Sequence, residues 1–135
     1  MGKIPKLKIY LDTSVYNRPF DDQTQIRIRL ETESFLTIFE EIIKEKFFLV
    51  ISSVLIYENS LNPFAERKEK VNMYLSYGKQ RQPLNYKIEK RATTLTKMGF
   101  ASIDALHIAV AEYANCDYFI TCDDEILRIF NKFQH

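Results

Sequence analysis

KIYLDTSVYN (residues 8–17) is apolar at three of its first four positions and then stops on Asp12, with two hydroxyl residues, Thr13 and Ser14, behind it. A short apolar run closed by turn residues reads as a buried strand. No lysine or arginine follows the aspartate until Arg18, so a carboxylate is left at a strand end without a sequence neighbour to neutralise it. Two further runs, FFLVIS (47–52) and CDYFIT (116–121), read as strands of the same kind.

Helical patterns separate them. Residues 23–46 carry the stripe Phe35, Ile38, Phe39, Ile42 and Ile43, although QIRIRL (25–30) alternates with period two. SSVLIYENSLN (52–62) reads as a short helix that Ser52 or Ser53 could cap, stopped near Pro63. Charged amphipathic helices are expected over 64–77 and 86–98, with Gly78 and Gly99 as left-handed termini. Ser102 opens another helix, and DDEILRIFNKF (123–133) closes the chain as one more. Strands that are nearly unbroken apolar runs, alternating with helices, imply a parallel sheet covered on both faces. The expected fold is therefore α/β, a three-layer α/β/α sandwich with a short central parallel sheet, in one domain over 1–135. No linker or repeat divides it; Asp12, Glu58 and Asp104 are evenly spaced, but their flanks LDTSV, YENSL and IDALH share nothing.

Nineteen basic residues against 18 acids give a net charge of +1, which excludes a generic polyanion coat and confines any nucleic-acid contact to a local patch. The start MGKIPKLKIYLD lacks the apolar core of a secretory signal, Lys6 breaks the myristoylation pattern, and no run reaches the roughly 18 apolar residues of a membrane span. A cytoplasmic protein without a membrane partner is expected. Cys116 and Cys122 lie on one expected strand, about 20 Å apart if extended, so they cannot pair, and without a histidine pair they offer no zinc spacing. Both read as small core residues.

In parallel α/β sheets, ligands bind beyond the carboxyl ends of the strands. Asp12 stands at one such end and Asp123 just past another. Asp104 shares a helix face with His107, Ile108 and Ala111, and Glu58 with Val54, Leu55 and Leu61, so both turn toward the protein. None of the four has a lysine or arginine within three positions. Singly, each acid suits a turn, a helix dipole or a solvated surface. Together they pose an electrostatic problem, because two carboxylates about 5 Å apart repel by roughly 3 kcal/mol at an effective dielectric near 20. Shared protons or a divalent cation could relieve it. An oxygen-only set favours Mg²⁺ or Mn²⁺ over zinc, with Ser14 and Thr121 placed to orient carboxylates or water.

LDTSVYN, SSVLIYENS and SIDALHIAVAEYANCDYFITCDDEIL, in this order of strands and helices, resemble the PIN domain, and the small single-domain format is similar to VapC-like toxins. The resemblance implies a metal-dependent endoribonuclease whose acids fall on Asp12, Glu58, Asp104 and Asp123. Asp124 is an alternative to Asp123, which better fits the T-x-D spacing. The resemblance further implies an RNA substrate, a small antitoxin partner and pairing of two such domains. PIN-like domains acting in RNA processing, or binding without catalysis, are the alternative.

Water activated by a metal needs no protein nucleophile, in keeping with the lack of a G-x-S-x-G elbow or a glycine-rich phosphate loop. An aspartyl-phosphate enzyme built on Asp12 fits poorly, since Ser14 stands where the common phosphatase pattern has a second aspartate. Arg18 is the best-placed phosphate contact, with Lys79, Arg81, Lys87, Lys90 and Arg91 as an outer track that also suits solvated helix ends. Tyr10, Tyr16 and Phe20 could stack on bases but suit the core equally. His107 reads as a buried, hydrogen-bonded histidine, Asp22 with Gln25 as a helix capping box, and Asp117 as belonging to the opposite edge of the sheet.

Overall fold

The computed structural model describes residues 6–133; residues 1–5, part of the start on which the signal and myristoylation expectations rest, lie outside them. Strands β1 (Leu7–Leu11), β2 (Phe47–Ser52), β3 (Gln80–Gln82) and β4 (Tyr118–Ile120) form one parallel sheet in the order β3-β2-β1-β4. Seven helices surround it among the described residues: α1 (Thr13–Asn17), α2 (Ile26–Ile43), α3 (Ser53–Ser60), α4 (Ala65–Leu75), α5 (Tyr86–Lys97), α6 (Ser102–Tyr113) and α7 (Asp124–Lys132). The architecture is the expected three-layer α/β/α sandwich.

The two central strands explain why. Ile9, Tyr10 and Leu11 are consecutive and all buried, as are Leu49, Val50, Ile51 and Ser52, so side chains on both faces of the sheet are covered. Each large apolar side chain so buried contributes about 1.5–3 kcal/mol. On α2, Phe35, Phe39 and Ile42 face the core, and Phe35 and Phe39 pack edge-on against Tyr74 of α4. The alternating QIRIRL stretch enters α2 with Ile26 and Leu30 exposed, so its period-two pattern reflects no buried face.

The structure corrects several local expectations. β3 was not anticipated: QRQ lacks apolar side chains and pairs only at the sheet edge, against Val50–Ser52. Gly99 does take a positive φ of 113°, but Gly78 does not. Gly78 is instead a close approach, since a Cβ there would sit 2.8 Å from Cγ1 and Cγ2 of Ile51. Ile43 is exposed at the end of its stripe. Asp22 does not cap α2; it accepts from the backbone N–H and hydroxyl of Thr24, and Gln25 occupies the cap position without a side-chain bond. Cys116 and Cys122 flank β4 and are free and half-buried. Asp117 accepts from the Lys8 backbone N–H at the opposite edge, as expected.

Candidate functional site

The carboxyl ends of β1, β2 and β4 form one rim. Parallel pairing sets Leu11 beside Ile120 and Tyr10 beside Val50, so the chain leaves the sheet at Asp12, Ser52 and Thr121 at a common level. The Asp12 backbone N–H still bonds to the Ile120 carbonyl at 3.2 Å, which extends the ladder one step past the strand.

Asp12 is only 3% exposed. One carboxyl oxygen accepts from the Ser14 hydroxyl at 2.5 Å, the other from the Thr121 hydroxyl at 2.6 Å. Those hydroxyls are themselves anchored: Ser14 Oγ accepts from the Cys122 N–H at 3.0 Å and Thr121 Oγ1 from the Asp123 N–H at 2.9 Å. Burial raises the carboxyl above its ordinary range, and the Ser14 and Thr121 hydrogen bonds oppose that rise. Both hydroxyl residues singled out from sequence therefore orient Asp12.

Glu58 lies half-buried on α3, whose start is fixed by Ser52 Oγ accepting from the Leu55 N–H at 3.1 Å. Burial pulls its carboxyl upward, but hydrogen bonds from His107 and Thr13 prevail and hold it below the usual glutamate range. Thr13, not singled out from sequence, donates to Glu58 Oε1 at 2.6 Å. His107 is buried and hydrogen-bonded as expected, but one of its partners is that same Glu58 oxygen.

Asp104 sits in the first turn of α6, half-buried. Its carboxyl is pushed up to about 6, first by burial and then by the negative charges of Asp123 and Asp12; His107 opposes the rise and Glu58 adds to it. The four acids, distant in sequence, thus share one electrostatic neighbourhood. None of Asp12, Asp104, Glu58 and Asp123 makes an ion pair with a lysine or arginine among the described residues, and Glu58 is instead hydrogen-bonded to His107. Among the described residues no three acidic, histidine or cysteine side chains stand close enough to form a ready-made metal shell. Mg²⁺ does not require one, since it keeps several waters and binds through one or two carboxylates. An all-oxygen acidic set lacking guanidinium or ammonium partners fits such a hard cation.

Asp123 and Asp124 part company. Asp123 caps α7, accepting from the Glu125 N–H at 2.8 Å, and its charge reaches Asp104. Asp124 is exposed and forms a bidentate pair with Arg27, one branch at 2.7 Å. Arg18 is not an open cation: it pairs with Asp21 and Glu31, each at 3.1 Å, and donates to the Cys122 carbonyl at 3.3 Å. It braces the turn that carries Asp123. In the outer track, Lys79 pairs with Glu45 and Arg91 with Glu112, while Arg81, Lys87 and Lys90 are exposed. Tyr10 and Tyr16 are fully buried and belong to the core; Phe20 is half-buried beneath the Arg67 guanidinium. Burial raises both thiols, Cys116 to about 11, so neither supplies a thiolate nucleophile.

A family model described as PIN domain matches residues 9–131, which span all four acids. No curated protein matches the chain.

Proposed function

Because the chain belongs to the PIN domain family, a nuclease fold, we propose that it is a metal-dependent endoribonuclease that hydrolyses RNA phosphodiester bonds with water, acting as the toxin of a toxin–antitoxin pair. The observation that carries the reading is the Asp104 carboxyl, raised to about 6 at the strand rim by burial and by Asp123, Asp12 and Glu58, with no lysine or arginine among the described residues paired with it. Asp12, Asp104, Glu58 and Asp123 would hold the ion, Mg²⁺ or Mn²⁺, one or two of them directly and the others through its bound water. Bound there, it supplies Lewis acidity that polarises a phosphoryl oxygen and acidifies water. Ser14 and Thr121 hold the Asp12 carboxylate in one orientation, and Arg18 keeps the Cys122–Asp123 turn in place. Exposed Tyr57, Leu61 and Phe64 near the α3–α4 junction, with Leu127 and Phe130 on α7, supply apolar surface for an antitoxin and for a homodimer.

The test is cleavage of unstructured RNA by purified protein. Activity with Mg²⁺ or Mn²⁺ should fall to background in chelator and return when the ion is restored; cleavage that continues undiminished in chelator refutes the metal reading. A paired substitution separates the adjacent acids. Asp123→Asn keeps a capping side chain but removes the charge and should lower cleavage by about tenfold or more, by analogy with lost metal-site partners. Asp124→Asn disturbs only an exposed ion pair and should leave the rate within about threefold of wild type. The opposite ranking would move the role to Asp124.

A further inference from the structure

Glu58 receives both of its hydrogen bonds on one oxygen. Thr13 Oγ1 and His107 Nε2 both donate to Oε1, and no described residue donates to Oε2. A carboxylate is an acceptor only, so Nε2 must carry a hydrogen. The other ring nitrogen, Nδ1, lies 2.6 Å from the Tyr10 hydroxyl, which lies 2.7 Å from Ser52 Oγ. With the ring neutral, every direction agrees. Leu55 N–H donates to Ser52 Oγ, Ser52 O–H to the Tyr10 oxygen, Tyr10 O–H to Nδ1, and Nε2–H to Glu58. The chain runs through the core: Tyr10 and Ser52 are wholly buried and His107 is 2% exposed. A buried imidazole is costly unless both nitrogens are paired, and here both are. Tyr10 comes from β1, Ser52 from the end of β2 and His107 from α6, so the ring is held from the sheet side, and Ser52 ties that support to the start of α3, which carries Glu58.

We infer that His107, held by Tyr10 and Ser52, is a positioning residue: it clamps Oε1 of Glu58 and leaves Oε2 as the oxygen offered to a cation at the acidic rim. The inference rests on the metal-binding reading proposed above and adds a residue to it. His107 touches neither substrate nor ion; it acts through Glu58. Metal sites depend on such outer partners because a ligand free to rotate must be ordered on binding.

The test is Mn²⁺ titration by calorimetry on the wild type, His107→Leu, His107→Gln and Tyr10→Phe, each also melted without metal. His107→Leu fills the space but donates nothing, and Mn²⁺ affinity should fall by about 10–100-fold. The glutamine amide can place an N–H where Nε2 stands, and His107→Gln should recover most of that loss even if its metal-free melting temperature matches that of His107→Leu. Rescue without a stability difference separates positioning from packing. Wild-type affinity in a folded His107→Leu overturns the inference, as does a loss that His107→Gln fails to repair. Should His107→Leu not fold, Tyr10→Phe decides: it keeps the ring but frees Nδ1, so weaker Mn²⁺ binding supports the relay and unchanged binding overturns it. A wild type that binds no Mn²⁺ is a different result, which removes the metal reading and this inference with it.

Discussion

Asp12→Asn is expected to reduce RNA cleavage about a thousandfold or more while leaving the protein folded. Losing only an outer partner of a metal ligand costs about 10–100-fold, and losing the charge of a ligand costs more. Folding is spared because the amide has nearly the shape of the carboxylate. Asp12 accepts from Ser14 on one oxygen and Thr121 on the other, so the new –NH₂ would face one hydroxyl that now donates. That hydroxyl can rotate and accept instead, at a cost of about 1 kcal/mol for a compromised bond. Burial already strains the native charge, raising the Asp12 carboxyl, so its removal offsets that cost. The metal-free melting temperature should therefore stay level or rise while single-turnover cleavage collapses. A folded variant that cleaves within about tenfold of wild type would place the chemistry elsewhere.

Which features the sequence made legible follows from where the physics is local. β1 and β2 could be read because both of their faces are buried, which writes consecutive apolar residues into LKIYL and FFLVIS. β3 could not: an edge strand forms through its backbone, and QRQ needs no apolar side chain to pair with β2. Gly78 looked like a helix terminus because glycine often is one, whereas its lack of a side chain serves contact with Ile51, 27 positions earlier. At the site, Asp12 and Asp123 were visible as acids ending apolar runs, and Ser14 and Thr121 as hydroxyls nearby. The use of Arg18 was hidden, since the Cys122 carbonyl that it holds is 104 positions away. So was the service of His107 to Glu58, across 49 positions. Periodicity shows which way a side chain faces, not which distant atom it meets.

Asp104→Asn should change stability in opposite directions with and without the ion. In the native protein the Asp104 carboxyl sits at about 6, above the ordinary aspartate value of 3.8. Between those two values the unfolded chain has released a proton that the folded chain retains, so stability falls as pH rises. This stabilisation is complete below about pH 4 and is gone once pH has passed well above 6. A shift of about two units corresponds to roughly 3 kcal/mol at full strength, and partial solvent access at Asp104 reduces the expected effect to about 1 kcal/mol. Asparagine does not titrate. In chelator the variant should match wild type near pH 4 and exceed it at pH 7, by about 3–5 °C in Tm for a chain of this size. Glu58, held below its usual range, contributes with the opposite sign, but it is present in both proteins and enters their difference only through its repulsion of Asp104, the last-ranked cause of the Asp104 shift. With Mn²⁺ at about 100 times its dissociation constant, wild type gains about 2.7 kcal/mol from binding. The variant, short of one carboxylate, should gain much less, so the order of melting temperatures reverses. A difference that is flat between pH 4 and 7, or an order that Mn²⁺ leaves unchanged, would mean that Asp104 is not strained by burial and its acidic neighbours. The crossing itself is the informative result: a substitution that merely repacked α6 would move both curves the same way, whereas repulsion that a cation relieves must help the variant in chelator and handicap it in metal.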